Sequence, residues 1–193
     1  MLSNLLKCDS IDINNEYEMR LFQHVDIQYI KIILDDIQVN KYLAFANPIE
    51  VFEGYFGSMV DGMNESINKN EIPENIIVTI IEKSTRIVVG NGGISSVMFC
   101  PGNFEVGYQL APSVWGKGIA TLCCKMLIQM TFTELNGYKV NADLYGQNKG
   151  SMRVLEKAGL VKEGEQMDYY KIDEDCFDSR LLYGITKSMF DKL

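Results

Sequence analysis

Gly107-Tyr108-Gln109-Leu110-Ala111-Pro112-Ser113-Val114-Trp115-Gly116-Lys117-Gly118-Ile119-Ala120 is the stretch that decides how the rest of this chain is read. It runs from an extended segment through a proline-marked turn into a glycine-rich loop, and the loop opens straight into a helix. A helix start leaves backbone N–H groups without intrahelical partners, and the helix dipole makes that end electropositive. Glycines there let amides approach an anion that a Cβ would hold off. A phosphate or pyrophosphate is the expected guest, and Lys117 adds a positive charge in the loop.

The helix is marked by Ile119, Leu122, Cys123, Met126, Leu127 and Met130, an apolar stripe at helical spacing. Two familiar nucleotide loops fail on the residues. A P-loop needs a glycine at 111 and Ser or Thr after Lys117, where the chain has Ala111 and Gly118; a dinucleotide fingerprint needs a glycine where Thr121 stands.

The loop resembles the coenzyme A loop of the GNAT N-acetyltransferases. The match is to the branch of ribosomal-protein alanine acetyltransferases, which acetylates protein N-termini and small amines. Glu105, Gly107, Tyr108, Leu110, Pro112, Trp115, Gly116, Gly118 and Ala120 fall in register with that branch. A second block, Asn148-Lys149-Gly150-Ser151-Met152-Arg153-Val154-Leu155-Glu156-Lys157-Ala158-Gly159-Leu160, follows about thirty residues on. The resemblance covers roughly residues 17–188, strongest over 103–160. It implies an α/β fold, a central, mostly antiparallel twisted sheet with helices on both faces. Residues 1–193 then form one domain, with 1–15 as a peripheral extension.

Length and composition fit that reading. The chain has 193 residues, 47% hydrophobic and 23% charged, enough for a continuous core. No apolar run approaches the roughly 20 residues that cross a bilayer, and the N-terminus does not read as a signal peptide. Neither a membrane nor, at a net charge of −8, nucleic acid is expected as a partner. That acidity could concentrate cationic substrates, or simply serve solubility. Five scattered cysteines (Cys8, Cys100, Cys123, Cys124, Cys176) without a CxxC, and His24 as the only histidine, suggest no metal site and a reducing cytoplasm. A homodimer is compatible with the sequence, which does not fix the oligomeric state.

Periodicity predicts a strand near 17–22 and a helix from Asp26 through Ile37. It also predicts a chain break at Asn47-Pro48 and a helix carrying Val51, Phe52, Tyr55, Phe56, Met59 and Val60. Residues 64–75 read as a loop, then strands near 76–82, 86–98 and 103–111 as a meander. Beyond the long helix come a strand over 138–144, a helix over 148–158 stopped by Gly159, and a hairpin turning at Asp173-Glu174-Asp175.

Acetyl transfer to an amine needs a held donor, a neutral amine and stabilised developing charges. The resemblance implies acetyl-CoA as donor and a primary amine as acceptor. Leu110 and Ala111 would pair with the pantetheine amides, and Trp115, Gly116, Lys117, Gly118, Ile119 and Ala120 would cradle the pyrophosphate. Asn148 reads both as a helix N-cap and as a pantetheine contact. Glu105 is the candidate base, or else a structural strand carboxylate. A carboxyl with a free pKa of about 4.3 suits an α-amine (about 7.7–8.0) better than a lysine-type amine (about 10.4). Many relatives place a tyrosine acid four residues before the glycine of the second block; here it is Leu155, which moves the role towards Ser151, with Tyr145 as an outside candidate. Cys123 and Cys124 lack a paired histidine and read as packing, as do Tyr169 and Tyr170, while His24 reads as a cap or surface residue. The expected function is acetyl-CoA-dependent N-acetylation by direct transfer in a ternary complex. The alternative is a non-catalytic acyl-CoA-binding module of the same fold.

Overall fold

Every residue of β3 (Asn75–Glu82) from Ile76 to Ile81 is buried, as expected of a strand covered on both faces. It lies inside an eight-stranded sheet of order β1-β2-β3-β4-β5-β6-β8-β7. The other strands are β1 (Ile11–Asp12), β2 (Tyr17–Leu21), β4 (Val88–Ser96), β5 (Asn103–Leu110), β6 (Lys139–Tyr145), β7 (Val161–Asp173) and β8 (Cys176–Thr186). The computed structural model describes residues 1–7, 9–43 and 49–193, so Cys8 and the break expected at Asn47-Pro48 lie outside the described residues. All strand pairs are antiparallel except β5 with β6.

Helices cover both faces. On one side α5 (Ile119–Glu134) contributes Ile119, Cys123, Cys124, Leu127 and Ile128 to the main core, joined by Leu155 of α6 (Lys149–Lys157). On the other, α2 (Ile27–Asp35), α3 (Ile37–Asn40) and α4 (Ile49–Asn68) close a second cluster around Phe22, Ile30, Leu34, Phe56 and Ile77. The short helices α1 (Leu2–Leu6) and α7 (Lys187–Phe190) complete the fold.

The structure corrects several sequence expectations. Residues 1–15, read as a peripheral extension, place Leu2, Leu5 and Ile13 in the main core. The single helix expected through Ile37 breaks at Asp36, whose backbone is extended and whose carboxylate accepts from Gln38 N–H at 2.8 Å; it caps α3 and leaves Ile37 in solvent. The loop expected from 64 is helix as far as Asn68, because Met63 is buried and Ile67 packs on the core. That helix stops where Asn70 takes a left-handed φ of 56°. The strand read over 86–98 is shorter, Val88–Ser96. In α5 burial spreads beyond the predicted stripe to Cys124, Ile128 and Phe132, while Leu122 is exposed. The expected stop at Gly159 is found at φ 98°: Leu160 N–H donates to the Leu155 carbonyl at 3.0 Å and Gly159 N–H to that of Glu156 at 3.1 Å.

Candidate active site

The site begins where β5 and β6 separate. These parallel strands pair only at Asn103 with Lys139, Phe104 with Val140 and Glu105 with Asn141, although β5 continues to Leu110 and β6 to Tyr145. The Asn141 amide closes the vertex, donating to the Asn103 side chain and to the Phe104 carbonyl. Beyond it the ladder stops and the two strands run on unpaired, which leaves a gap between them.

Main-chain groups of a strand alternate in direction. Ala111 N–H donates to the Val89 carbonyl of β4 at 2.9 Å, so the alternate residues Tyr108 and Leu110 turn theirs towards the gap. The Leu110 carbonyl accepts from Trp115 Nε1 at 2.8 Å, and the Ala111 carbonyl accepts from Val114 N–H at 3.1 Å. Ala111, expected to pair with a ligand, therefore has both main-chain groups engaged. The edge that faces the gap is Tyr108 and the Leu110 N–H.

The loop at the head of α5 is shaped for an anion. Gly116 and Gly118 have φ of 75° and 79°, and nothing lies within 4 Å of a Cβ built at either. Gly118 is the N-cap of α5 and has no side chain to satisfy the amides of the first turn, which begins at Ile119 and Ala120. The left-handed backbone, and not shortage of space within the protein, calls for glycine here. Lys117 turns away: its Nζ donates to Tyr17 Oη at 3.3 Å, beside a recess of about 560 Å³ that it shares with Glu82 and Lys83. Trp115, 45% exposed, latches the loop to β5 through its indole N–H.

Asn148 caps α6, its Oδ1 accepting from Ser151 N–H at 3.0 Å. The Ser151 hydroxyl lies 2.8 Å from Tyr108 Oη, a bond between α6 and β5 that the sequence reading missed. Burial pushes the Tyr108 phenol well above its ordinary value. Strand parity was the available signal: Tyr108 shares the face of Val106 and Leu110, opposite that of Glu105. Leu155 is 1% exposed within the main core and offers no proton.

Glu105 faces the other side of the sheet, that of Asp143 and Tyr145 on β6 and of Arg180, the β8 partner of Tyr145. Glu105 retains exposed surface, yet lost hydration raises its pKa, reinforced by the negative charge of Asp143 and opposed by Arg180. Asp143 is ion-paired to Arg180 and accepts from Tyr170 Oη at 3.4 Å. Tyr170 stacks on Tyr145 at 3.8 Å, and the Arg180 guanidinium lies 4.9 Å from the Tyr169 ring. A bulge in β7 between Gln166 and Tyr170, with Asp168 at φ 53°, brings these rings over the sheet. Tyr169 and Tyr170, expected as plain packing, thus engage Arg180 and Asp143, the two charges that act on Glu105. Tyr145, weighed as an acid, sits on this face and not on that of Ser151. Of the early aromatic residues, Phe56 stacks on Phe22 at 5.4 Å in the second cluster and Tyr55 is exposed.

The thiols of α5 are sealed in the core. Burial pushes Cys123 up to about 12 and Cys124 higher still, far from the depressed values of nucleophilic cysteines. His24 pairs with Asp61 at 2.8 Å on the surface.

The family model for the acetyltransferase (GNAT) domain matches residues 18–161, and the chain belongs to that family. An uncharacterised N-acetyltransferase of Bacillus licheniformis is 36% identical over 93 residues, 48% of this chain and 52% of the relative. The chain thus spans about half the length of this curated relative, and 42% of a probable N-acetyltransferase of Bacillus subtilis that is 39% identical over 40% of this chain. Among solved structures, the ribosomal-protein-S5-alanine acetyltransferase of Vibrio fischeri superposes with a TM-score of 0.76 at 21% identity, covering 92% of this chain and 96% of that one. Spermidine N-acetyltransferase of Vibrio cholerae, in complex with CoA and spermine, gives 0.73 at 17% identity over 92% and 99%.

Proposed function

We propose that this chain is an acetyl-CoA-dependent N-acetyltransferase that acts on a primary amine by direct transfer in a ternary complex. The observation that carries this reading is the gap between β5 and β6, with the Glu105 carboxylate on one face and the Ser151 hydroxyl on the other. The residues fit the donor. Tyr108 and Leu110 offer main-chain groups to a pantetheine arm, and the amides from Gly116 to Ala120 suit a pyrophosphate. Acetyl-CoA, when bound, supplies a thioester-activated acetyl group.

The chain's own groups then divide the work. Ionised Glu105 takes a proton from the ammonium, directly or through one water, and its raised pKa makes it a better base than a free carboxylate. The gap-facing N–H of Tyr108 is available to the acyl oxygen as negative charge develops there. The Ser151 hydroxyl donates towards the sulfur as the carbon–sulfur bond breaks. Buried Cys123 and Cys124 provide no nucleophile, which supports direct transfer over an acetylated enzyme.

The acceptor would approach from the Glu105 side, where two carboxylates outnumber one arginine and tyrosine rings offer faces to a cation. Relatives named for spermidine and for a ribosomal protein both modify amines. Free thiols exposed at Cys100 and Cys176 suit a reducing compartment, and we place the reaction in the cytoplasm. No helix among the described residues is long and apolar enough to cross a membrane.

Trp115 is the only tryptophan in the chain, so its fluorescence reports directly on the loop. Titration with CoA and acetyl-CoA should change that emission. Mass spectrometry of acetyl-CoA with a panel of peptides, polyamines, aminoglycosides and amino acids should then show one acetylated class. Binding without product from any amine points to the acyl-CoA-binding module, and absence of binding overturns the reading.

A further inference from the structure

We infer that Tyr108 is a positioning residue that holds the Ser151 hydroxyl with its proton turned into the gap between β5 and β6. The inference rests on the acetyltransfer reading and adds a residue to it. Ser151 is fixed at two points: its N–H by Asn148 Oδ1 at 3.0 Å, and its Oγ by Tyr108 Oη at 2.8 Å. The first bond places the backbone of the residue, and the second selects the orientation of the hydroxyl.

The direction of the second bond matters. Tyr108 Oη also lies 3.4 Å from the Ser151 carbonyl, which can only accept. A phenol proton directed at the Ser151 side of the pair therefore meets two acceptors, the carbonyl and Oγ. Phenol is also the more acidic of the two hydroxyls, hence the better donor. With Tyr108 donating, Ser151 Oγ spends a lone pair on the tyrosine and keeps its own proton for another acceptor. With the bond reversed, that proton would be spent on Tyr108. Burial keeps the phenol protonated, so the donor persists across the working pH range.

This arrangement leaves the hydroxyl of Ser151 as the donor that α6 presents. Ser151 carries the one hydroxyl of α6, a lone hydroxyl is free to rotate, and Leu155 one turn on is sealed in the core and offers no proton. Tyr108 supplies the constraint from the neighbouring strand. Its side chain gives up no proton and touches neither reacting partner; the role proposed for its main-chain N–H is separate and is untouched by loss of the phenol.

The test is a double-mutant cycle on the full chain, with the amine identified by the panel as acceptor. Tyr108→Phe keeps the ring and removes only the hydroxyl. It should lower kcat about tenfold, the order of one lost hydrogen bond, with KM for acetyl-CoA and the thermal midpoint nearly unchanged. Ser151→Ala should lower kcat further, and adding Tyr108→Phe to it should cost nothing more. An unchanged kcat in Tyr108→Phe overturns the inference. So does full additivity, which would make Tyr108 act independently of Ser151, and so does a rise in KM alone. If the unmodified chain binds acetyl-CoA but acetylates no amine, the acetyltransfer reading fails and this role falls with it. Normal turnover with a silent Tyr108→Phe removes the positioning role alone.

Discussion

Glu105 and Tyr108, three residues apart on β5, point to opposite faces of the sheet at the place where β5 leaves β6. The period of two along a strand makes that unavoidable, and the fold exploits it. In the proposed reaction a ligand lying in the gap meets a carboxylate on one side and a hydroxyl pair on the other, one to take a proton from nitrogen and one to stabilise a leaving sulfur. Because Glu105 and Tyr108 hang from one strand, their separation is set by covalent geometry and the ladder to β4, and Ser151 of α6 is tied to that strand through the Tyr108 hydroxyl.

Glu105 sits between charges of opposite sign, so its neighbours should move the acid limb of kcat/KM in opposite directions. Asp143 raises its pKa and Arg180 lowers it. Asp143→Asn should shift the limb to lower pH, since the carboxylate then ionises more readily. Arg180→Met should shift it to higher pH. Measured with one acceptor, the titration of the amine itself is common to all variants and cancels. Shifts of the same sign in both variants would show that Glu105 is not the group being read.

Gly118→Ala separates loop chemistry from stability. A non-glycine residue at φ 79° costs about 1–2 kcal/mol, which for a chain of this size lowers the thermal midpoint by only a few degrees, about 2–4 °C per kcal/mol. The added Cβ meets no protein atom within 4 Å, but it would stand where a pyrophosphate approaches the amides. Affinity for CoA, followed by Trp115 emission, should fall by roughly tenfold or more, about 1.4 kcal/mol. Equal affinity in the variant would place the anion elsewhere.

The loop was legible in the sequence because its determinants are local: two glycines, a proline and a helix stripe lie within a few residues of each other. Asn148 was legible as a cap for the same reason, whereas the order of the strands around it was not. The contacts that shape the site were not. Tyr108 meets Ser151 across 43 residues, and Arg180 meets Asp143 across 37. Both depend on strand register and on how β5 and β6 part. The β7 bulge that brings Tyr169 and Tyr170 over Arg180 carries no glycine at its left-handed residue, Asp168, so nothing in the local pattern announced it. Asp36 hid a helix break because Ile37 kept the apolar spacing although it faces solvent.

Asp26 anchors the far edge of the fold. Its carboxylate, wholly buried, receives a bidentate pair from Arg20 at 2.7 and 2.8 Å, Gln23 N–H at 2.9 Å and Thr79 Oγ1 at 2.6 Å. Asp26→Ala leaves Arg20 and Thr79 without their acceptor, a loss of about 3–5 kcal/mol. At about 2–4 °C per kcal/mol, the midpoint should drop by roughly 10 °C. A drop below 3 °C would mean that water or a neighbouring group takes over the acceptor role.

Thiol labelling distinguishes direct transfer from an acetylated enzyme. Cys100 and Cys176 are exposed and free, whereas Cys123 and Cys124 are buried in α5. Burial pushes Cys123 up to about 12, so at neutral pH its thiolate is a vanishing fraction. Under native conditions iodoacetamide should modify Cys100 and Cys176 within minutes and reach Cys123 and Cys124 only when the chain unfolds. A complementary measurement is the mass of the protein after incubation with acetyl-CoA without amine, which should be unchanged. Fast native labelling at Cys123, or a stable acetyl adduct there, would replace the Glu105–Ser151 route with a covalent one. In that case Tyr108→Phe would act on the thioester exchange and not on Ser151, and Ser151→Ala would leave turnover intact.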